Sequence, residues 1–154
     1  NMIFKAPQNI AERDPFYKSV FLAGSIEMGK AVDWQTEIGN LFDEKLWNVF
    51  NPRRDDWDSS WKQDYSNPQF SQQVNWELNA LEKADLIIMY FDPATKSPIS
   101  LLELGLYAES ERIFVVCPDG FWRKGNVDII CDRYNIPLYS SLEELKSMIK
   151  SIED

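Results

Sequence analysis

Apolar and polar positions alternate along the chain between two kinds of run. "SVFLAGS" (19–25), "WNVFNP" (47–52), "DLIIMYFDP" (85–93) and "IFVVCP" (113–118) are apolar stretches closed by Gly, Pro, Asn or Asp, the pattern of strands buried on both faces. Between and after them, "VDWQTEIGNLFDEK" (32–45), "SQQVNWELNALEKA" (71–84), "SLLELGLYAESE" (100–111) and "SLEELKSMIKSI" (141–152) read as helices, most with apolar residues at helical spacing. Asp33, Ser71 and Ser100 stand where N-caps are expected, and Ser141 with Glu144 gives the last helix a cap signal. Residues 127–133 fit a further short helix, and "IPLY" (136–139) a fifth, short strand. Residues 1–18 read as irregular.

Strands that alternate with helices, the inner strands being continuously apolar, predict an α/β domain whose mostly parallel, five-stranded sheet is covered on both faces. No repeat, low-complexity tract or linker divides the chain, so residues 1–154 are expected to form one domain. In such sheets ligands bind beyond the carboxyl ends of the strands. Here those ends carry Gly24-Ser25, "NPRRDDWD" (51–58), Asp92-Pro93 and "CPDGFW" (117–122), a gathering of polar and aromatic residues.

Composition narrows the chemistry. The net charge of −9 speaks against a nucleic-acid binder, which needs a basic face. No apolar stretch approaches the roughly 20 residues of a membrane span, and no signal-peptide pattern is present. Cys117 and Cys131 lack metal or redox spacing and fit a reducing compartment, so a cytoplasmic location is expected. The chain has no histidine, which removes Ser-His-Asp and Cys-His catalysis and histidine metal sites. An enzyme of this composition would rest its proton and nucleophile chemistry on carboxylates, helped by Tyr, Lys or Ser.

One carboxylate is conspicuous. Glu103 sits within "SPISLLELGLYAES" (97–110), flanked by leucines, where burying an unpaired charge is costly. As the last residue of a Ser100-x-x-Glu103 capping box it would bond back to the Ser100 N–H. The same position in a first helical turn would also keep it ionised above the strand ends, as a nucleophile or base. Glu77 reads either as a solvated helix residue or as a second site carboxylate, and Asp92 either as a turn cap or as part of the site. Asp55, Asp56 and Asp58 match no calcium loop, and no metal is expected. Gly24-Ser25 lacks the fuller glycine pattern of a phosphate loop. Arg53 and Arg54 could hold a phosphate or be solvated, and Trp57 and Trp61 could pack or stack on a ligand.

Taken in order, "VFLAGS", "NWELNALEKADLIIMYFDP", "SLLELGLYA" and "FWRKGNVDI" resemble the nucleoside 2-deoxyribosyltransferase family over most of residues 19–135. The resemblance implies a flavodoxin-like, Rossmann-like three-layer sandwich and exchange of the base on a 2′-deoxyribonucleoside, with nucleosides and free nucleobases as its small-molecule partners and no cofactor. It implies that Glu103 is the nucleophile at C1′ and that Glu77, where the family usually has aspartate, handles the leaving base, with Asp92 as the other possible proton donor. Gly24, Ser25 and Asn51 at the strand ends, and Arg53, Asp56 and Trp57 in the loop matching the base-contacting segment, are implied to bind substrate. Asn126 is implied to reach the sugar 5′-hydroxyl in a neighbouring subunit of a homo-oligomer. Ser97 stands where the better-known branch has an aspartate, a departure on the base side of the site. An N-glycoside hydrolase acting on nucleosides or 5′-nucleotides, and a non-catalytic nucleotide-binding domain, are the alternative readings.

Overall fold

The computed structural model describes residues 2–24, 32–54 and 60–153. Six strands form one sheet: β1 (Ile3–Lys5), β2 (Lys18–Gly24), β3 (Trp47–Asn51), β4 (Leu86–Tyr90), β5 (Ile113–Val116) and β6 (Leu138–Tyr139). Their order is β1-β3-β2-β4-β5-β6, and every pairing is parallel. Helices α1 (Trp34–Gly39), α2 (Pro68–Lys83), α3 (Pro98–Tyr107), α4 (Lys124–Arg133) and α5 (Leu142–Glu153) connect or follow them.

The strands are apolar on both faces because both faces are covered. Phe21, Phe50, Ile87, Met89 and Val115 share a core with Trp76, Ala80 and Leu81 of α2, Leu104 of α3 and Val127 of α4. Val20, Leu22, Val49, Ile88 and Val116 point the other way, onto Trp34 and Ile38 of α1 and Leu145 and Ile149 of α5. The result is the flavodoxin-like three-layer α/β sandwich. No helix among the described residues is long and apolar enough to cross a membrane.

The sheet corrects the expected strand count. The segment taken as irregular contributes β1, pinned to β3 by Val49 N donating to Met2 O at 2.8 Å and Ala6 N to Asn51 O at 3.0 Å. A three-residue strand with only Phe4 fully inside, against Phe50, is too short to show a period. Two expected caps are also displaced. Asn67 rather than Ser71 caps α2, its side chain accepting from Phe70 N at 3.1 Å, with Pro68 opening the helix. Ser97 rather than Ser100 precedes α3, with Pro98 opening it and Leu101 N donating to Ser97 O at 3.0 Å. Asp33 does cap α1, accepting from Thr36 N at 3.2 Å, but α1 stops at Gly39, well short of residue 45. The Ser141 cap of α5 is present, with Glu144 N donating to its Oγ at 3.2 Å.

The chain runs from β2 outward to β3, then returns to β4 on the other side of β2. The carboxyl ends of β2 and β4 therefore frame the crevice where such a sheet reverses its winding. Gly24 makes that edge close-packed: its φ is +136°, and a Cβ there would lie 2.3 Å from the Tyr90 carbonyl oxygen.

Candidate functional site

α3 buries a carboxylate and leaves several apolar side chains exposed. Its buried residues are Ser100, Glu103 and Leu104, whereas Ile99, Leu102 and Leu106 are 57%, 67% and 60% exposed. Leu102 and Leu106 thus belong with Ile99 to an outward stripe at i, i+3, i+7 spacing, whereas Leu104 packs into the core. The carboxylate itself is 6% exposed. It is the sixth residue of the helix, so the expected capping box and first-turn placement do not hold.

Glu103 faces Glu77 of the neighbouring α2, which is half-buried. Burial, then the negative charge of Glu77, pushes the Glu103 carboxyl up from 4.5 to about 9. Burial pushes Glu77 up to about 7, opposed by a hydrogen bond from Gln73. Among the described residues no salt bridge reaches either carboxylate. Two acids forced together without a cation titrate as a pair, and near neutrality the pair holds at least one proton. The sequence reading expected the helix start to favour the ionised form; Glu103 instead lies beyond the first turn, where that effect acts, and burial and the Glu77 charge push its carboxyl up.

Gln73 is a candidate site residue that sequence reasoning missed. It lies one helical turn before Glu77, donates Nε2 to Glu77 Oε2 at 3.4 Å and to the Pro52 carbonyl at 2.9 Å, and so ties α2 to the exit of β3. The signal available was a glutamine four residues ahead of a glutamate on one helix face.

The other expected residues divide. Asp92 is buried at the end of β4, where Oδ1 accepts from Ala94 N at 2.9 Å and Oδ2 from Val32 N at 3.3 Å, locking the turn and joining it to the segment before α1. Asn51 is buried at the end of β3 and accepts from Arg53 N at 3.0 Å. Arg53 reaches toward α1, donating to Val32 O at 3.3 Å and standing 4.0 Å from Asp33 Oδ1. Arg54 instead turns to α2, donating to Gln72 Oε1 at 3.1 Å and covering the Trp61 ring. Asn126 is exposed in the first turn of α4 and lines a groove of about 310 Å³ with Leu101, Leu104 and Gly105 of α3 and with Trp122. Glu103 does not line that groove. Ser25, Asp56 and Trp57 lie outside the described residues, as do Asp55 and Asp58. Cys117 and Cys131 are free and buried, and burial pushes both thiols up, to about 11 and about 12.

The comparisons with known proteins agree with this architecture. A crystal structure of a conserved protein from Enterococcus faecalis V583 superposes with a TM-score of 0.58 over 88% of this chain and 98% of that one, at 15% identity, which establishes the fold. No curated protein matches the chain. The sequence model of the family described as "Nucleoside 2-deoxyribosyltransferase like" matches residues 17–121, a span that runs from β2 through Glu77, Asp92 and Glu103 to the turn before α4. The chain therefore belongs to the nucleoside 2-deoxyribosyltransferase-like family.

Proposed function

We propose that the protein transfers a 2-deoxyribosyl group between nucleobases through a covalent glycosyl ester on Glu103. The observation that carries this reading is the pairing of buried Glu103 with half-buried Glu77, two carboxyls close enough for one to raise the other and with no salt bridge among the described residues. In the singly protonated pair, one acid supplies a nucleophile and the other a proton. Burial favours the proton on Glu103 in the free protein, so the reactive form is the minor one with the proton on Glu77: Glu103, as carboxylate, attacks C1′ while the C1′–N bond breaks and Glu77 gives its proton to the departing base. A second base then attacks C1′, the ester C–O bond breaks and Glu103 is released as carboxylate. Incoming and product bases exchange the proton with Glu77. Two displacements at one carbon retain the configuration, as in retaining glycosidases. Glu77 suits the donor role better than Asp92, whose carboxylate oxygens both accept backbone N–H groups. Arg53 and Arg54, which a 5′-phosphate would require, are turned toward Val32 and Gln72, so a nucleoside fits better than a nucleotide.

The outward stripe Ile99, Leu102 and Leu106 supports a second copy packing on α3. Such packing would cover the adjacent groove and let Asn126 reach a neighbour's sugar site. Incubation with 2′-deoxyadenosine tests the activity: new 2′-deoxycytidine on adding cytosine is expected. Adenine release unchanged by cytosine, with no new nucleoside, would make the protein a hydrolase. No reaction would leave a binding domain.

A further inference from the structure

Gln73 is 9% exposed, and its amide orientation is set by its surroundings. The Pro52 carbonyl at 2.9 Å and Glu77 Oε2 at 3.4 Å are both oxygens, which only the NH₂ end can face. Oε1 is therefore an acceptor. It is closed to solvent and has no hydrogen-bond partner among the described residues. Buried polar atoms are nearly always satisfied, and an orphan acceptor beside a candidate site carboxyl calls for a donor that the described residues do not supply. The bond to Pro52 accounts for the amide's NH₂ end and leaves only Oε1 without a structural task.

We propose that Gln73 is a specificity-determining residue that accepts a hydrogen bond from an exocyclic amine of the nucleobase, next to the ring nitrogen that Glu77 protonates. This rests on the reading of Glu77 as the acid serving the leaving base. Glu77 Oε2 accepts from Gln73, so Oε1 carries the transferable proton. The base edge facing the pair must then present an acceptor nitrogen to Glu77 and an N–H to Gln73. Adenine does so with N7 and its 6-amino group, and cytosine with N3 and its 4-amino group. Bases with a carbonyl at that position place lone pairs against Gln73 Oε1 instead. The substrate class is accordingly the amino-bearing nucleosides.

The test compares exchange of 2′-deoxyadenosine and 2′-deoxyinosine by the wild type and by Gln73→Met, as the ratio of their kcat/KM values. Intrinsic leaving ability cancels between the two proteins. The substitution is expected to lower the ratio roughly ten-fold, the size of one lost buried hydrogen bond. An unchanged ratio, with both substrates affected alike, would overturn the assignment and leave the transferase reading intact. No exchange of any base by the wild type would overturn both. Should Gln73→Met not fold, wild type with N6,N6-dimethyl-2′-deoxyadenosine decides, because this substrate keeps N7 and lacks the N–H. A loss of about ten-fold relative to 2′-deoxyadenosine supports the role of Gln73, and equal rates overturn it.

Discussion

Replacing Glu103 by Gln should stabilise the protein above neutrality and destabilise it in acid. In the unfolded chain this carboxyl ionises near 4.5, whereas in the fold it holds its proton up to about 9. Between those values the native state binds more protons than the unfolded one, so stability falls as pH rises. Each pH unit above 4.5 costs about 1.4 kcal/mol, or roughly 4 kcal/mol at pH 7.5. Glutamine has no such term, and one amide N–H can donate to Glu77, but its other N–H lacks a partner, costing about 1–3 kcal/mol. The balance is a gain of roughly 2 kcal/mol at pH 7.5, which raises Tm by about 4–8 °C for a domain of this size. At pH 4.5 only the amide cost remains, and Glu103→Gln should melt below wild type. Thermal unfolding of both proteins from pH 4.5 to 8.5 reads the difference directly, since titrating groups other than the coupled Glu77 cancel. A difference that does not vary with pH, or a variant less stable than wild type at every pH, would show that the two carboxyls do not share a proton.

The same pair should give a bell-shaped kcat/KM, rising as pH passes about 7, where the first proton leaves and a nucleophile appears, and falling above about 9, where the donor is lost; a profile flat from pH 6 to 10 would contradict it. Gly24→Ala should destabilise by about 2–4 kcal/mol in urea unfolding, because its Cβ would sit 2.3 Å from the Tyr90 oxygen at a φ that L-residues avoid; a loss below about 0.5 kcal/mol would mean that β2 and β4 separate there at little cost. Mixing Glu103→Ala with Asn126→Ala protein, each nearly inactive, should restore part of the activity once subunit exchange is verified by mass, because one site of a mixed pair receives neither lesion. Verified exchange without recovery would confine Asn126 to its own chain.

Much of the architecture was legible because parallel sheets write it plainly. Four of the six strands are apolar on both faces, and residues 85–93 could be nothing else once Asp92-Pro93 closed the run. β1 was hidden because three residues carry no period and its pairing with β3 is a long-range fact. The two displaced caps share a cause: Asn67-Pro68 and Ser97-Pro98 start helices before their apolar pattern begins, so the pattern marks the first core contact and not the first helical residue. Glu103 stood out in sequence for a reason that the fold reverses. Leu102 and Leu106 face outward, Leu104 enters the core, and the charge nearest Glu103 inside is Glu77. Gln73 stayed invisible because its meaning depends on the Pro52 carbonyl, a contact that no helical pattern announces.

The central claim is a sugar–Glu103 ester, and trapping it is the most direct measurement. A 2′-deoxy-2′-fluoro nucleoside, whose fluorine destabilises the oxocarbenium-like transition state, should leave its sugar bound to the protein. Intact-mass spectrometry is expected to show one fluorosugar per chain, and peptide mapping should place it on Glu103 and nowhere on Glu103→Gln. An adduct on Glu77 or Asp92, or an active protein that never accumulates label, would contradict the account.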